Sequence, residues 1–332
     1  MWTYADFSKI ETDALRKSVI DTFLMEAPVM QMIPWETIGA LSTTVVTYND
    51  LPSVGFRKLN AGYAESTGNF KQKTEQIALM GGMIDTDKAI ARAKNSIADA
   101  RAIQQNMMVK AMAYKFNDKF INGNPVVDPE EFKGLAARVD EVVSEGFTDQ
   151  FIDCGGTAGT IRDAGILYDT ANAYNFLMKL DQLVYNIKGH SPDFLFMNKR
   201  TLMAVRHILM KEKLLTTSKD MFDRNIDMYG GARLIDIGTC SDQLTDIIGL
   251  NEDPLNLYSS DTSTSIYAAK FGVGEYLWGI QEYPMEVTDK GLLEGKPVYR
   301  TEVDHPIGLA MIDPRSIGRL CNIFPDNVAA SS

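Results

Sequence analysis

Cysteine and histidine are scarce in this chain, with three of each in 332 residues. Cys154, Cys240 and Cys321 lie far apart with no Cys-x-x-Cys pair, which speaks against a disulfide framework or a zinc site and for buried free thiols. His190, His207 and His305 fall in no His-x-x-x-His or His-Glu-x-x-His pattern, so surface or packing roles are expected and a metal site is not. No apolar run is long enough to span a membrane. The start, Met1-Trp2-Thr3-Tyr4-Ala5-Asp6, lacks the basic-then-apolar order of a secretory leader, so the expectation is a chain kept in a cytoplasm with no membrane partner. Positive charge is also short. With 33 Lys and Arg against 44 Asp and Glu, the net charge of −11 argues against avid binding of nucleic acid by phosphate neutralisation.

Catalytic signatures are missing too. There is no Gly-x-Ser-x-Gly elbow, and the carboxylates are too scattered to nominate an acid–base pair. The loop Gly155-Gly156-Thr157-Ala158-Gly159-Thr160 lacks both the Gly-Lys-Ser/Thr ending of a phosphate loop and the spacing of a dinucleotide turn. A surface connection is the simpler reading. No catalytic residue, cofactor-binding residue, metal ligand or cofactor is therefore expected.

What is present is one long uninterrupted stretch. From Thr86 to Ile121 there is no Gly or Pro, and Ile90, Ala93, Ile97, Ala100, Ile103, Met107, Ala111 and Tyr114 recur at helical spacing. Gly81-Gly82 and Asp85 mark the expected start, and Asn122-Gly123-Asn124-Pro125 the stop. Such a helix would run about 54 Å, far beyond the usual three turns. It carries a net charge of +4, leaving −15 for the rest of the chain. As a coiled-coil seam it is too small and too polar, since a Gln interrupts the Ile and Ala positions. A basic outer face admits weak polyanion contact, but solvated charge explains it equally well. A helix with one face on a sheet fits best.

Around this helix the pattern is mixed. Residues 1–34 read as an amphipathic arm, with Phe7, Ile10, Ala14, Val19, Phe23 and Leu24 closed by Pro28 and Pro34, which must pack on a neighbour or on its own core. Ser42–Tyr48 and Phe70–Met80 read as strands flanking a long tip rich in turn-formers. Glu130–Val143 leads into a short helix or strand. Then follow a helix at Ala164–Ile187, a strand at Asp193–Met197, a helix at Lys199–Met210 and a strand at Leu234–Ile237. Strands are expected at Ser265–Lys270, Tyr276–Ile280 and Met285–Thr288, then within Lys296–His305 and Gly308–Leu320, before a polar tail. The fold class is α+β, with one domain inserted in another.

Taken in order, these elements resemble the major capsid proteins of tailed bacteriophages. Lys119-Phe120-Ile121-Asn122-Gly123-Asn124 with Pro129-Glu130-Glu131-Phe132-Lys133-Gly134-Leu135 is similar to the spine-to-peripheral junction of one branch of that family. Phe194 to Arg200 and Tyr229 to Asp236 look like axial-domain strands, and Gly308 to Ile317 like the last peripheral strands. The resemblance implies a phage major capsid shell fold divided as follows: N-terminal arm 1–34, extended two-stranded loop 35–82, long spine helix and first part of the peripheral domain 83–154, inserted axial domain 155–290, last part of the peripheral domain 291–326, and tail 327–332. It implies a structural protein, not an enzyme, that self-assembles as hexamers and pentamers into the icosahedral head around double-stranded DNA. The implied partners are further copies of itself through the arm, extended loop and spine, a separate scaffolding protein, a portal protein and weakly contacted DNA. The implied location is the virion, with the host cytoplasm during assembly. Some relatives cross-link a loop lysine to a neighbour's asparagine; Lys58, Lys71, Lys73, Asn322 and Asn327 are of the right type, but such residues are common. An encapsulin-like shell around protein cargo, a soluble α+β enzyme and a tail or connector component are the alternatives.

Overall fold

The computed structural model describes residues 28–89, 100–155, 170–219, 225–252, 254–255 and 263–325. The arm before Pro28, the helix positions Ile90, Ala93 and Ile97, the loop Gly156–Thr160, the start of the Ala164–Ile187 helix, Asn327 and the tail lie outside the described residues. In chain order the elements begin with α1 (Pro28–Met32), β1 (Trp35–Thr37), β2 (Ser42–Asp50), β3 (Asn69–Gln76), β4 (Ala78–Asp87), α2 (Ala100–Asn122) and α3 (Leu135–Ser144). They continue with β5 (Phe151–Asp153), α4 (Thr170–Asn186), β6 (Phe194–Met197), α5 (Lys199–Lys211), β7 (Thr216–Lys219), β8 (Asn225–Tyr229) and β9 (Ala232–Asp236). The last are β10 (Thr264–Ala269), β11 (Leu277–Gln281), β12 (Glu286–Leu292), β13 (Val298–Met311) and β14 (Ile317–Ile323).

β13 organises a five-stranded sheet because it is long enough for three partners. β12 pairs with Tyr299–Asp304 and β11 with Ile307–Met311, while β4 pairs ten for ten with Val298–Ile307. The sequence reading broke this strand at Pro306; the structure runs straight through it. Pro306 sits where β12 has ended and β11 has only begun, so its missing N–H costs no ladder bond, and its carbonyl still accepts from Glu282 N (3.3 Å). A second sheet of seven strands has the order β5-β14-β10-β6-β9-β8-β7. Its β8–β9 hairpin turns on Gly230 and Gly231, both at positive φ (57° and 89°), the two-residue turn that matches strand twist. β7 gives no sequence signal, because Thr216-Thr217-Ser218-Lys219 carries no apolar alternation, whereas β8 does alternate at Ile226 and Met228. Divisions at 154/155 and 290/291 do not follow the sheets: β11 and β12 belong with β13, and β5 and β14 with β10.

Thr86 and Asp87 do not open the long helix but end β4, paired with Tyr299 and Val298; Lys88 and Ala89 are helical, and the next described helix is Ala100–Asn122, about 34 Å of rod. Gly81 and Gly82 are not a helix start. They sit inside β4, where a Cβ on Gly82 would lie 2.7 Å from Met108 Cε of α2, so the glycine lets helix and sheet approach closely. Nor does Asp85 cap a helix; it holds Arg300 through two 2.7 Å contacts.

The buried face of α2 is also not the expected one. Val109, Met112, Ala113, Phe116, Phe120 and Ile121 are buried, whereas Ile103 and Met107 are exposed. The aromatic side chains decide the rotation, since each removes more apolar area from water than an Ala or Met of the other stripe. Phe116 lies 6.1 Å from Trp35 of β1, and Phe120 meets Phe196 of β6 edge-on at 5.3 Å. One helix thus bridges both sheets, and the seven-stranded sheet is covered by α2 and α3 on one face and by α4 and α5 on the other. α2 ends where two glycines meet: Gly134 N donates to Gly123 O at 2.8 Å, and a Cβ on Gly134 would fall 2.6 Å from Lys119 O. That close approach accounts for the junction motif.

Candidate assembly surfaces

β2 and β3 form a two-stranded hairpin, paired from Ser42↔Gln76 to Asp50↔Asn69. β-branched residues fill β2, and alternate positions turn to one face. The strand expected at Phe70–Met80 divides at Ile77, whose N–H leaves the hairpin to donate to Leu41 O (2.9 Å), and β4 continues into the large sheet. Between the strands, residues 51–68 form the tip. Leu51, Val54, Phe56, Leu59 and Tyr63 all stand in solvent. Local polar contacts shape it: Ser66 Oγ donates to Ser53 O (3.0 Å), and Arg57 sits 5.2 Å over the Tyr63 ring. Apolar groups so exposed on a protruding element mark a binding surface.

The hairpin root carries charge in register with α3. Lys71, Lys73 and Glu75 share one strand face at two-residue spacing, and Arg138, Glu141 and Glu145 share one helix face. Lys71 Nζ reaches Glu145 at 2.6 Å, while Lys73 Nζ reaches Glu145 at 2.8 Å and Glu141 at 3.3 Å. Glu75 and Arg138 are both buried and joined by two bonds of 2.7 and 2.9 Å; Arg138 also donates to Leu309 O (2.7 Å) and Lys133 O (3.1 Å). Partial burial pushes the Glu145 carboxyl up, but the ammonium groups of Lys71 and Lys73 outweigh it and hold it below its ordinary range. Glu141 is lowered in the same way against burial, by Lys133 and Lys73. The residues were legible as types, but nothing in a single sequence brings 71–75 beside 138–145.

Two further surfaces are apolar and uncovered. On α2, Ile103 and Met107 face solvent, and on β4 so do Leu79 and Met83. On α4 and α5, Tyr174, Met178, Tyr185, Met203 and Met210 do the same. Beside them lies a cavity of about 300 Å³ lined by Tyr174, Leu177, Met178, Asp181, Glu212, Leu214 and Tyr229, with Tyr229 donating to Asp181.

The scarce reactive residues are dispersed. Burial lowers the pKa of fully buried His305 to about 3, keeping it neutral 6.2 Å from Trp35. His190 sits at φ 53° with Nδ1 2.6 Å from Tyr185 O, and His207 is exposed on α5. All three cysteines are free; burial pushes the Cys154 thiol up to about 12, and Cys240 is only half-buried. Among the described residues no three His, Cys, Asp or Glu side chains cluster as a metal site would require. Lys58 stands on the tip, Lys71 and Lys73 are engaged at the root, and Asn322 is buried, donating to Asp153 at 2.8 Å.

Apolar surfaces thus protrude from a two-sheet body joined by one helix, and this architecture recurs in solved structures. The fold is similar to the SrpI encapsulin complex of Synechococcus elongatus PCC 7942 (TM-score 0.62, 14% identity, 92% of this chain and 90% of that one). It is also similar to the capsid of a native GTA particle (TM-score 0.57, 15% identity, 90% of each chain) and to a chain of Mycobacterium phage Bobi (TM-score 0.55, 9% identity, 93% and 91%). Residues 11–168 match the family Major capsid protein GP7. That match spans just under half of the chain, and the fold is the one that these capsid and encapsulin chains share. No curated protein matches its sequence.

Proposed function

We propose that this chain builds the icosahedral head of a tailed phage around double-stranded DNA, assembling as hexamers and pentamers through the hairpin, α2 and the arm. The observation that carries the reading is the hairpin tip, whose Leu51, Val54, Phe56 and Leu59 have no core of their own and need a neighbouring copy to cover them. The role is structural and not enzymatic, and the working place is the virion, reached from the host cytoplasm. A separate scaffolding protein, a portal protein and weak contact with DNA complete the set of partners; the net charge of −11 suits a container that must release its cargo. The arm, extended loop, spine, peripheral and axial parts are read as the functional divisions, with 277–292 grouped with the peripheral sheet because it pairs there.

The test is electron microscopy of the purified chain, alone and with its scaffold, together with analysis of particle contents. Closed shells holding DNA are expected. Protein cargo without DNA would favour the encapsulin reading, which the likeness to an encapsulin supports. Only monomers or dimers across salt and crowding conditions would refute both.

A further inference from the structure

We propose that the charged residues at the hairpin root are positioning residues: they fix the direction in which the hairpin leaves the subunit, and so the place where its tip meets the next copy. The second half of that statement rests on the shell reading above; the first does not.

Two strands alone make a weak structure in water, so a hairpin of this length needs its direction set from outside. The body supplies this in two layers. The inner layer is Arg138, which joins the hairpin (Glu75), the long strand β13 (Leu309 O) and the approach to α3 (Lys133 O) in one buried group. With every donor fan aimed at a fixed acceptor, it acts as a pivot pin. The outer layer is Lys71 and Lys73 on Glu145 and Glu141, farther along the hairpin and open to water on the Lys71 side. Two attachment points along one strand define a line. The spacing fits: about 13 Å of strand from 71 to 75 lies against about 10 Å of helix from 138 to 145. The pattern also fixes the register, because sliding the strand by two residues one way would place Glu75 opposite Glu141, and the other way Lys73 opposite Arg138. The outer layer is therefore a latch that can be opened without removing the pin.

The experiment separates direction from assembly. In a Cys240→Ser background, spin labels at Lys58→Cys on the tip and Met203→Cys on α5 report the hairpin direction in unassembled subunits. The wild-type root should give one narrow distance distribution. Lys71→Glu/Lys73→Glu, which turns the latch repulsive, should at least double its width and lower the yield of closed shells at least tenfold, with the subunit still folded by circular dichroism. Adding Glu145→Lys should restore both. Where the reversed variant does not fold, Lys71→Gln/Lys73→Gln removes the attraction without repulsion and should still broaden the distribution and lower the yield of closed shells. An unchanged distribution, or a broadened one that Glu145→Lys does not narrow, overturns the proposal. A broadened distribution with normal shell yield overturns its link to assembly. Failure of the wild-type chain to form shells would count against the shell reading while the label distances still decide the positioning role.

Discussion

Replacing His305 with glutamine tests whether the centre of β13 is as dry as its packing indicates. The imidazole is fully buried, and burial alone moves its pKa from 6.5 to about 3. The folded chain therefore keeps His305 neutral where the unfolded chain takes up a proton. Stability is complete above the unfolded pKa and is lost as the pH falls from about 6.5 towards 3, by up to about 1.4 kcal/mol per pH unit. Between pH 7 and pH 5 this amounts to about 2 kcal/mol from one residue. Urea unfolding of unassembled subunits at the two pH values, for wild type and His305→Gln, isolates the effect. Carboxylates titrate alike in both proteins and cancel in the difference, as does any fixed packing cost of the glutamine. Wild type should lose about 2 kcal/mol more than the variant on acidification. Losses equal within about 0.5 kcal/mol would mean that the folded state accepts the proton, and would refute the dry core around Trp35 and β13.

Gly134→Ala should cost about 2–3 kcal/mol, read from the urea midpoint, because its Cβ meets three backbone atoms within 2.8 Å and no side chain can yield; an unshifted midpoint would show a loose junction. Arg138→Met leaves Glu75 charged and buried and should cost about 3–5 kcal/mol, whereas Arg138→Met with Glu75→Leu should recover most of it. A double variant as unstable as the single would show that the pair is not what Arg138 contributes. Deleting Leu51 to Gly68 should leave the melting temperature of the subunit within about 2 °C, since the tip buries little, yet abolish closed shells; normal particle yield would remove the tip from assembly.

Much of the fold was legible because its elements obey local rules. The α4, β6, α5 and β9 succession follows from apolar runs punctuated by Asn198, which accepts from Thr201 N as an N-cap, and by the Gly230–Gly231 turn. The misreadings come from non-local causes. Gly81 and Gly82 resemble a breaker before a helix but serve a close helix–sheet contact. Pro306 resembles a strand end but occupies a change of partners. The root contacts join positions more than sixty residues apart through side chains that are unremarkable in isolation.

The error over the face of α2 is the more instructive one. Ile103 and Met107 do recur at helical spacing, so the periodicity was real; what failed was the assumption that an apolar stripe must face the subunit's own core. In this subunit α2 has two apolar sides, and the aromatic one won the interior. The other side, like the tip residues, is costly to leave in water and gains nothing from the fold of a single chain. Such a stripe persists at no advantage in a monomer. On the shell reading proposed above, a neighbouring copy would cover it, and a helix that bridges two sheets inside the subunit would then also carry contact between subunits. On that reading, the side Ile103 and Met107 present would suit contact that re-forms at pentamers and hexamers alike, where deep interlocking side chains would commit the interface to one angle.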